Sequence, residues 1–183
     1  MAYPTPGYGR HVTWLWAVLW LGTARAEVVD RVVAQVDQQL VLASDVTLET
    51  DLARRDLGQL PFWAPDHHDP LTRLIEAAVL RVASGEVGLY QPTTAEVDAR
   101  LEAVRASFVD RASWTEFLRI HGIDEAALAR VLRRRLVAER FLARNLQVSP
   151  DDEQQWLRDC DRLLQQLRAR VRIREIPPMR TEP

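Results

Sequence analysis

Cysteine is almost absent from this chain. Cys160 is the single example among 183 residues, so an internal disulfide is excluded, and a small apolar residue on a helix is its expected role. Lysine is missing altogether: all 24 basic residues are arginine, an imbalance of composition rather than of mechanism. No apolar run reaches the roughly 20 residues that a membrane-spanning helix needs, so stable membrane insertion is not expected. A Gly-rich phosphate loop, a nucleophile elbow and a paired metal motif are all lacking. Nothing in the sequence reads as an active site, and neither an enzyme nor a cofactor is expected.

The longest apolar stretch lies near the start. Arg10 and His11 precede VTWLWAVLWLG (residues 12–22), and Ala24-Arg25-Ala26 follows with small residues at the −3 and −1 positions of an A-x-A cleavage site. This pattern predicts a secretory signal peptide over residues 1–26, cut between Ala26 and Glu27, and export to the periplasm. Without Arg10 and Arg25, 22 arginines stand against 26 acids, a net charge of about −4. A modestly acidic domain is a poor general binder of nucleic acid. Residues 27–183 suit one domain.

In that domain the hydrophobic pattern predicts a mainly α (α+β) fold, with five to six helices and a small sheet. RVVAQV, with Val32, Ala34 and Val36 on one face, and Leu40-Val41-Leu42 read as a hairpin over 31–42 around Asp37-Gln38-Gln39. Helices are expected over 45–169. The first is capped by Ser44 and runs toward Gly58. The next carries the stripe Leu71, Leu74, Ile75, Ala78, Val79 and Val82 and stops at Gly85. Capping boxes at Thr93–Glu96 and Ser113–Glu116 open two more. Asp124 starts a long one that ends near Asn145, and Ser149-Pro150 starts the last. Residues 170–176 alternate as a strand. A lone strand leaves its backbone groups unpaired, so the two ends of the domain are expected to meet in one sheet.

Asp66-His67-His68-Asp69 is the one cluster with metal-ligand chemistry. Four adjacent residues do not easily wrap an ion tetrahedrally, and no distant ligand is evident, so the loop reads as solvated and no metal is expected. His121, beside Gly122, reads as a helix C-terminal residue facing the negative end of the dipole. Arg133-Arg134-Arg135 spreads over most of a helix circumference and reads as a solvated, partly ion-paired face rather than a phosphate patch.

The order of these elements carries a resemblance. VVDRVVAQVDQQLVLASDV resembles the opening of the SurA-type periplasmic chaperones, and the likeness continues through LTRLIEAAVLRVASGEVGLY and PTTAEVDARLEAVR. It extends through SWTEFLRIHGIDEAALARVLRRRLVAERFLARNLQVSPDD and ends in WLRDCDRLLQQLRARVRIREIP, covering nearly all of residues 27–183. Two departures stand out. Asp37-Gln38-Gln39 replaces the family's tight Asn/Gly turn, and Leu146-Gln147-Val148 leads straight into Ser149-Pro150, leaving no room for a parvulin prolyl-isomerase domain. The resemblance therefore implies an ATP-independent holdase for unfolded secreted or outer-membrane proteins, without isomerase activity. The alternatives are an adaptor for one specific envelope partner and a family member with cryptic or lost isomerase activity. Extended polypeptide clients are the expected partners, with a homodimer also open, and Phe62, Trp63, Trp114 and Phe117 are the candidate client-binding side chains.

Overall fold

The computed structural model describes residues 30–55, 60–64 and 66–177. The expected signal segment and its cleavage residues Ala24, Ala26 and Glu27 lie outside the described residues, as does Gly58. Among the described residues the chain forms six α-helices and a three-stranded antiparallel sheet, which is the mainly α class with a small sheet.

The sheet comes first in the chain and is completed last. β1 (Val32–Val36) pairs with β2 (Gln39–Leu42) and on its other side with β3 (Ile173–Glu175), giving the order β2-β1-β3. The two ends of the domain therefore do meet. The tight turn contains neither Gly nor Asn: Asp37 takes φ 50°, a left-handed conformation that Asp tolerates better than most residues. The closing strand helps to hold it there. Asp37 N–H donates to the Arg172 carbonyl and Arg172 N–H to the Asp37 carboxylate, both at 2.8 Å. A register irregularity between Val32 and Ala34 changes which valines face inward, so Val33, Ala34 and Val36 are buried and Val32 is only half-buried.

The helices are α1 (Ala43–Leu52), α2 (Pro70–Ser84), α3 (Thr94–Ala106), α4 (Arg111–Ile120), α5 (Glu125–Asn145) and α6 (Glu153–Arg168). The capping box expected at Thr93 and Glu96 is present, and Asp124 caps α5 through the Ala127 N–H. Three expected starts move by a residue or more. α1 is capped at Leu42, where Asp45 reaches back to the Leu42 N–H, while the Ser44 hydroxyl is spent on Asp30. α4 begins two residues earlier than its serine, on an Asp110–Ser113 box. α6 is capped by Asp152, and Ser149-Pro150 lies in the turn before it. At α4 and α6 a serine and an aspartate stand within one turn, and propensity alone does not choose between them, whereas Leu42 has no side-chain acceptor and the start of α1 rests on the Asp45 bond.

Two apolar clusters result. The first gathers the inner sheet face, Phe62 and Trp63 of a 3₁₀ turn, α2, the second half of α5 and α6. The second gathers Leu48 and Leu52 of α1, Val104 of α3, Trp114 and Phe117 of α4, and Leu128 and Leu132 of α5. α5 serves both, since 21 residues at 1.5 Å each span about 30 Å. α2 is buried beyond its expected stripe: Arg73, Glu76, Ala77 and Leu80 are also inside. Where the clusters meet, Glu49 accepts from Arg73 Nε at 3.0 Å and from Arg135 Nη2 at 2.5 Å, with all three residues buried. The Arg135 guanidinium also lies 4.5 Å above the Trp63 ring.

Candidate functional site

The four aromatic side chains expected to receive clients are core. Phe62, Trp63, Trp114 and Phe117 expose 0, 2, 4 and 7 % of their surface. Phe62 packs edge-on to Trp63, while Trp114, Phe117 and Phe108 form a ring cluster around α4. They lie in two separate cores and line no common groove.

Trp114 also lines a cleft of about 400 Å³ with Phe108 and Arg105, and two wider clefts lie elsewhere, beside the sheet. β2 has β1 on one side and no strand on the other among the described residues. A cleft of about 590 Å³ runs beside it, between Gln39 and Leu40 of β2, Arg81 and Val82 of α2, and Arg133 and Arg134 of α5. A second, of about 890 Å³, shares Gln39 and Val82 and carries the strip round the hairpin tip to Arg170, Arg172 and Arg174. Apolar side chains stand out in water here. Leu40 is 55 % exposed, and beside Glu86, which lines the first cleft, Val87 is 54 % exposed. Arg81 donates twice to Gln39 Oε1, and burial together with the facing Arg134 lowers its pKa to about 10. The strip is thus arginine-rich, with apolar patches and one unpaired strand edge.

The expected arginine face divides three ways. Arg133 donates to the Pro92 carbonyl at 3.0 Å, Arg134 lines the cleft, and Arg135 is buried on Glu49. The run forms no single patch, as its spacing predicted, but Arg135 is not solvated. His121 sits at the C-terminal cap of α4 as expected, with Nε2 3.0 Å from Asp51 Oδ2.

The loop before α2 departs most from the sequence reading. Asp69 caps α2 through the Leu71 and Thr72 N–H groups, and Asp66 is exposed. The two histidines turn inward instead, and the His67 side chain is only 8 % exposed. Their ring centroids lie 4.0 Å apart with the planes tilted by 40°, and His67 also packs against Phe62. Burial first, and then His68, lowers the pKa of His67, which favours neutral imidazole. Asp161 of α6, which the sequence did not associate with this loop, comes within 4.0 Å of His67. The signal was weak, because Asp161 is one acid among many on a polar helix face. Glu76 offered a better one, as a carboxylate between Ile75 and Ala78 of the apolar stripe. Cys160, one residue before Asp161, points into the core, and burial pushes its thiol pKa up, so it serves as an apolar side chain.

No family model matches this chain, and no curated protein matches it. None of the described helices is long and apolar enough to cross a membrane.

Proposed function

We propose that this protein is an ATP-independent holdase of the cell envelope that binds extended stretches of unfolded polypeptide along the arginine-lined strip beside β2. The observation that carries this reading is the combination of a strand edge without a partner strand among the described residues, exposed Leu40, and clustered guanidinium donors on one concave surface. An unfolded chain presents backbone carbonyls and scattered apolar side chains whatever its sequence. Arginine forks can satisfy the carbonyls, a strand edge can pair with the backbone, and the exposed apolar residues can cover client side chains. Each contact is modest and tolerant of sequence, which suits a binder of many clients, and release needs no nucleotide because client folding withdraws the ligand. The resemblance to SurA-type chaperones supports the same assignment, with export to the periplasm and clients among secreted and outer-membrane proteins.

The test is refolding of an unfolded outer-membrane barrel, with light scattering recorded in the presence of the purified protein. At several-fold excess scattering is expected to fall, and to fall for an unrelated unfolded protein as well. The double variant Leu40→Asp, Arg134→Glu is expected to lose most of this protection while keeping its helical circular dichroism. Scattering unchanged by the native protein would overturn the proposal. Protection confined to one partner at fixed stoichiometry would replace it with an adaptor.

A further inference from the structure

A second cluster, on the side of α2 that faces α6, has chemistry the strip does not use. One ligand-capable atom from each of His67, His68 and Asp161 lies within 4.8 Å of the other two. They come from two parts of the chain, the loop before α2 and the middle of α6. Around them sit three buried polar atoms without a hydrogen-bond partner: His67 Nε2, His68 Nδ1 and Glu76 Oε2. His68 Nδ1 and Glu76 Oε2 face each other at 3.0 Å, an ion pair when the histidine is protonated. Buried ring nitrogens are ordinarily satisfied, whereas His67 Nε2 comes no nearer than 4.0 Å to the Asp161 carboxylate.

We infer that His67, His68 and Asp161 form a three-residue binding site for a divalent zinc-like ion that clasps the loop before α2 to α6. Two imidazoles and one carboxylate, with the fourth position left to water, are the donor set of a borderline transition ion rather than of calcium or magnesium, which take oxygen almost alone. An ion with ligands about 2.0–2.2 Å away holds them roughly 3.5 Å from one another in a tetrahedron. Separations up to 4.8 Å therefore need only side-chain rotation to close. Beside the cluster, Glu76 has Arg168 at 3.5 Å. Arg73, the nearest other cation, is spent on Glu49 and on loop carbonyls, including that of His68. A dication beside Asp161 gives His67 Nε2 a partner. The other loop acids take no part, since Asp69 is occupied as a helix cap.

This site is independent of the holdase reading and stands or falls on metal binding alone. The test is calorimetric titration of zinc chloride into the full chain, purified without an oligohistidine tag and treated with chelator. Binding of one ion per chain at micromolar or tighter affinity is expected, with a rise in Tm of several degrees that magnesium does not reproduce. Cobalt in place of zinc is expected to show the visible absorption of a four-coordinate site. Loss of even an outer partner of a metal ligand weakens binding about 10- to 100-fold, so Asp161→Asn and His67→Gln are each expected to weaken it at least ten-fold. Asp161 is about half exposed, so Asp161→Asn is expected to keep the metal-free Tm, and it carries the test if His67→Gln does not fold. Absence of zinc binding by the native chain, or equal affinity in Asp161→Asn, would overturn the inference.

Discussion

On the loop before α2, the consecutive residues His67 and His68 turn toward one point and are met there by Asp161. On α5, the consecutive residues Arg133, Arg134 and Arg135 part company, one to a carbonyl of the α3 entry loop, one to the cleft and one into the core. Both are runs of adjacent like side chains. On a helix, successive residues are rotated by about 100° and must diverge. On a loop, the backbone angles set the direction of each side chain separately, so neighbours are free to converge. A run of like residues is thus informative only once its secondary structure is known.

The contrast is most sharply tested at Arg135, the buried member of its run. Glu49→Ala leaves Arg73 and Arg135 inside without their shared carboxylate. Removing one partner from a buried ion pair costs about 3–5 kcal/mol, and a drop of that size in urea unfolding free energy is expected. A change within about 0.5 kcal/mol would show that the arginines find water or other partners, and that α5 does not divide its arginines as described. Thr93→Ala probes the α3 entry, where Arg140 of α5 bonds Glu96 and the Gln91 carbonyl. Loss of such a cap costs about 1 kcal/mol, readable as a lowered Tm with unchanged helical content.

The acid limb sharpens the same region. Hydrogen bonds from Thr93, and then the Arg140 guanidinium, pull the Glu96 carboxyl down from its ordinary value near 4.5 to about 2. A depressed acid stabilises the folded state above its unfolded pKa, and that contribution is lost as pH falls through the folded value. Stability should therefore decline between pH 4.5 and about 2, and Glu96→Gln should flatten that decline; an unchanged slope would refute the linkage. The smallest effect is expected at Arg134, the solvated member of the run. Arg134→Ala removes its repulsion on Arg81, and a surface change of this kind shifts stability by no more than about 0.5 kcal/mol, here upward. A loss above 1 kcal/mol would mean that Arg134 is structural rather than a free donor to clients.

Much of the fold was legible because its signals are local. The α2 stripe, the Thr93–Glu96 box and the span of α5 each lie within a few residues of one another. The meeting of the chain ends was also legible, since an isolated strand must find a partner. The helix starts at Ser113 and Ser149 were misplaced because an equally good cap, Asp110 or Asp152, stood within one turn, and the one at Ser44 because Asp30 takes its hydroxyl while Asp45 reaches back to Leu42. The candidate surfaces were read less well. The large aromatics Phe62, Trp63, Trp114 and Phe117 are buried because the same apolar area that would attract a client attracts the core first. The strip beside β2 depends on Leu40, whose exposure no periodicity marks.

Periodicity, capping chemistry and the need to pair a terminal strand determined the element order and the class of this fold, because each acts through neighbours in the chain or through an unavoidable backbone requirement. Tertiary packing decided which residues face one another across long separations: Asp161 with His67, Arg135 with Glu49, Arg134 with Arg81. Those pairings arise from how helices dock. Docking is governed by the summed burial of many side chains, and no single stretch of sequence carries that sum.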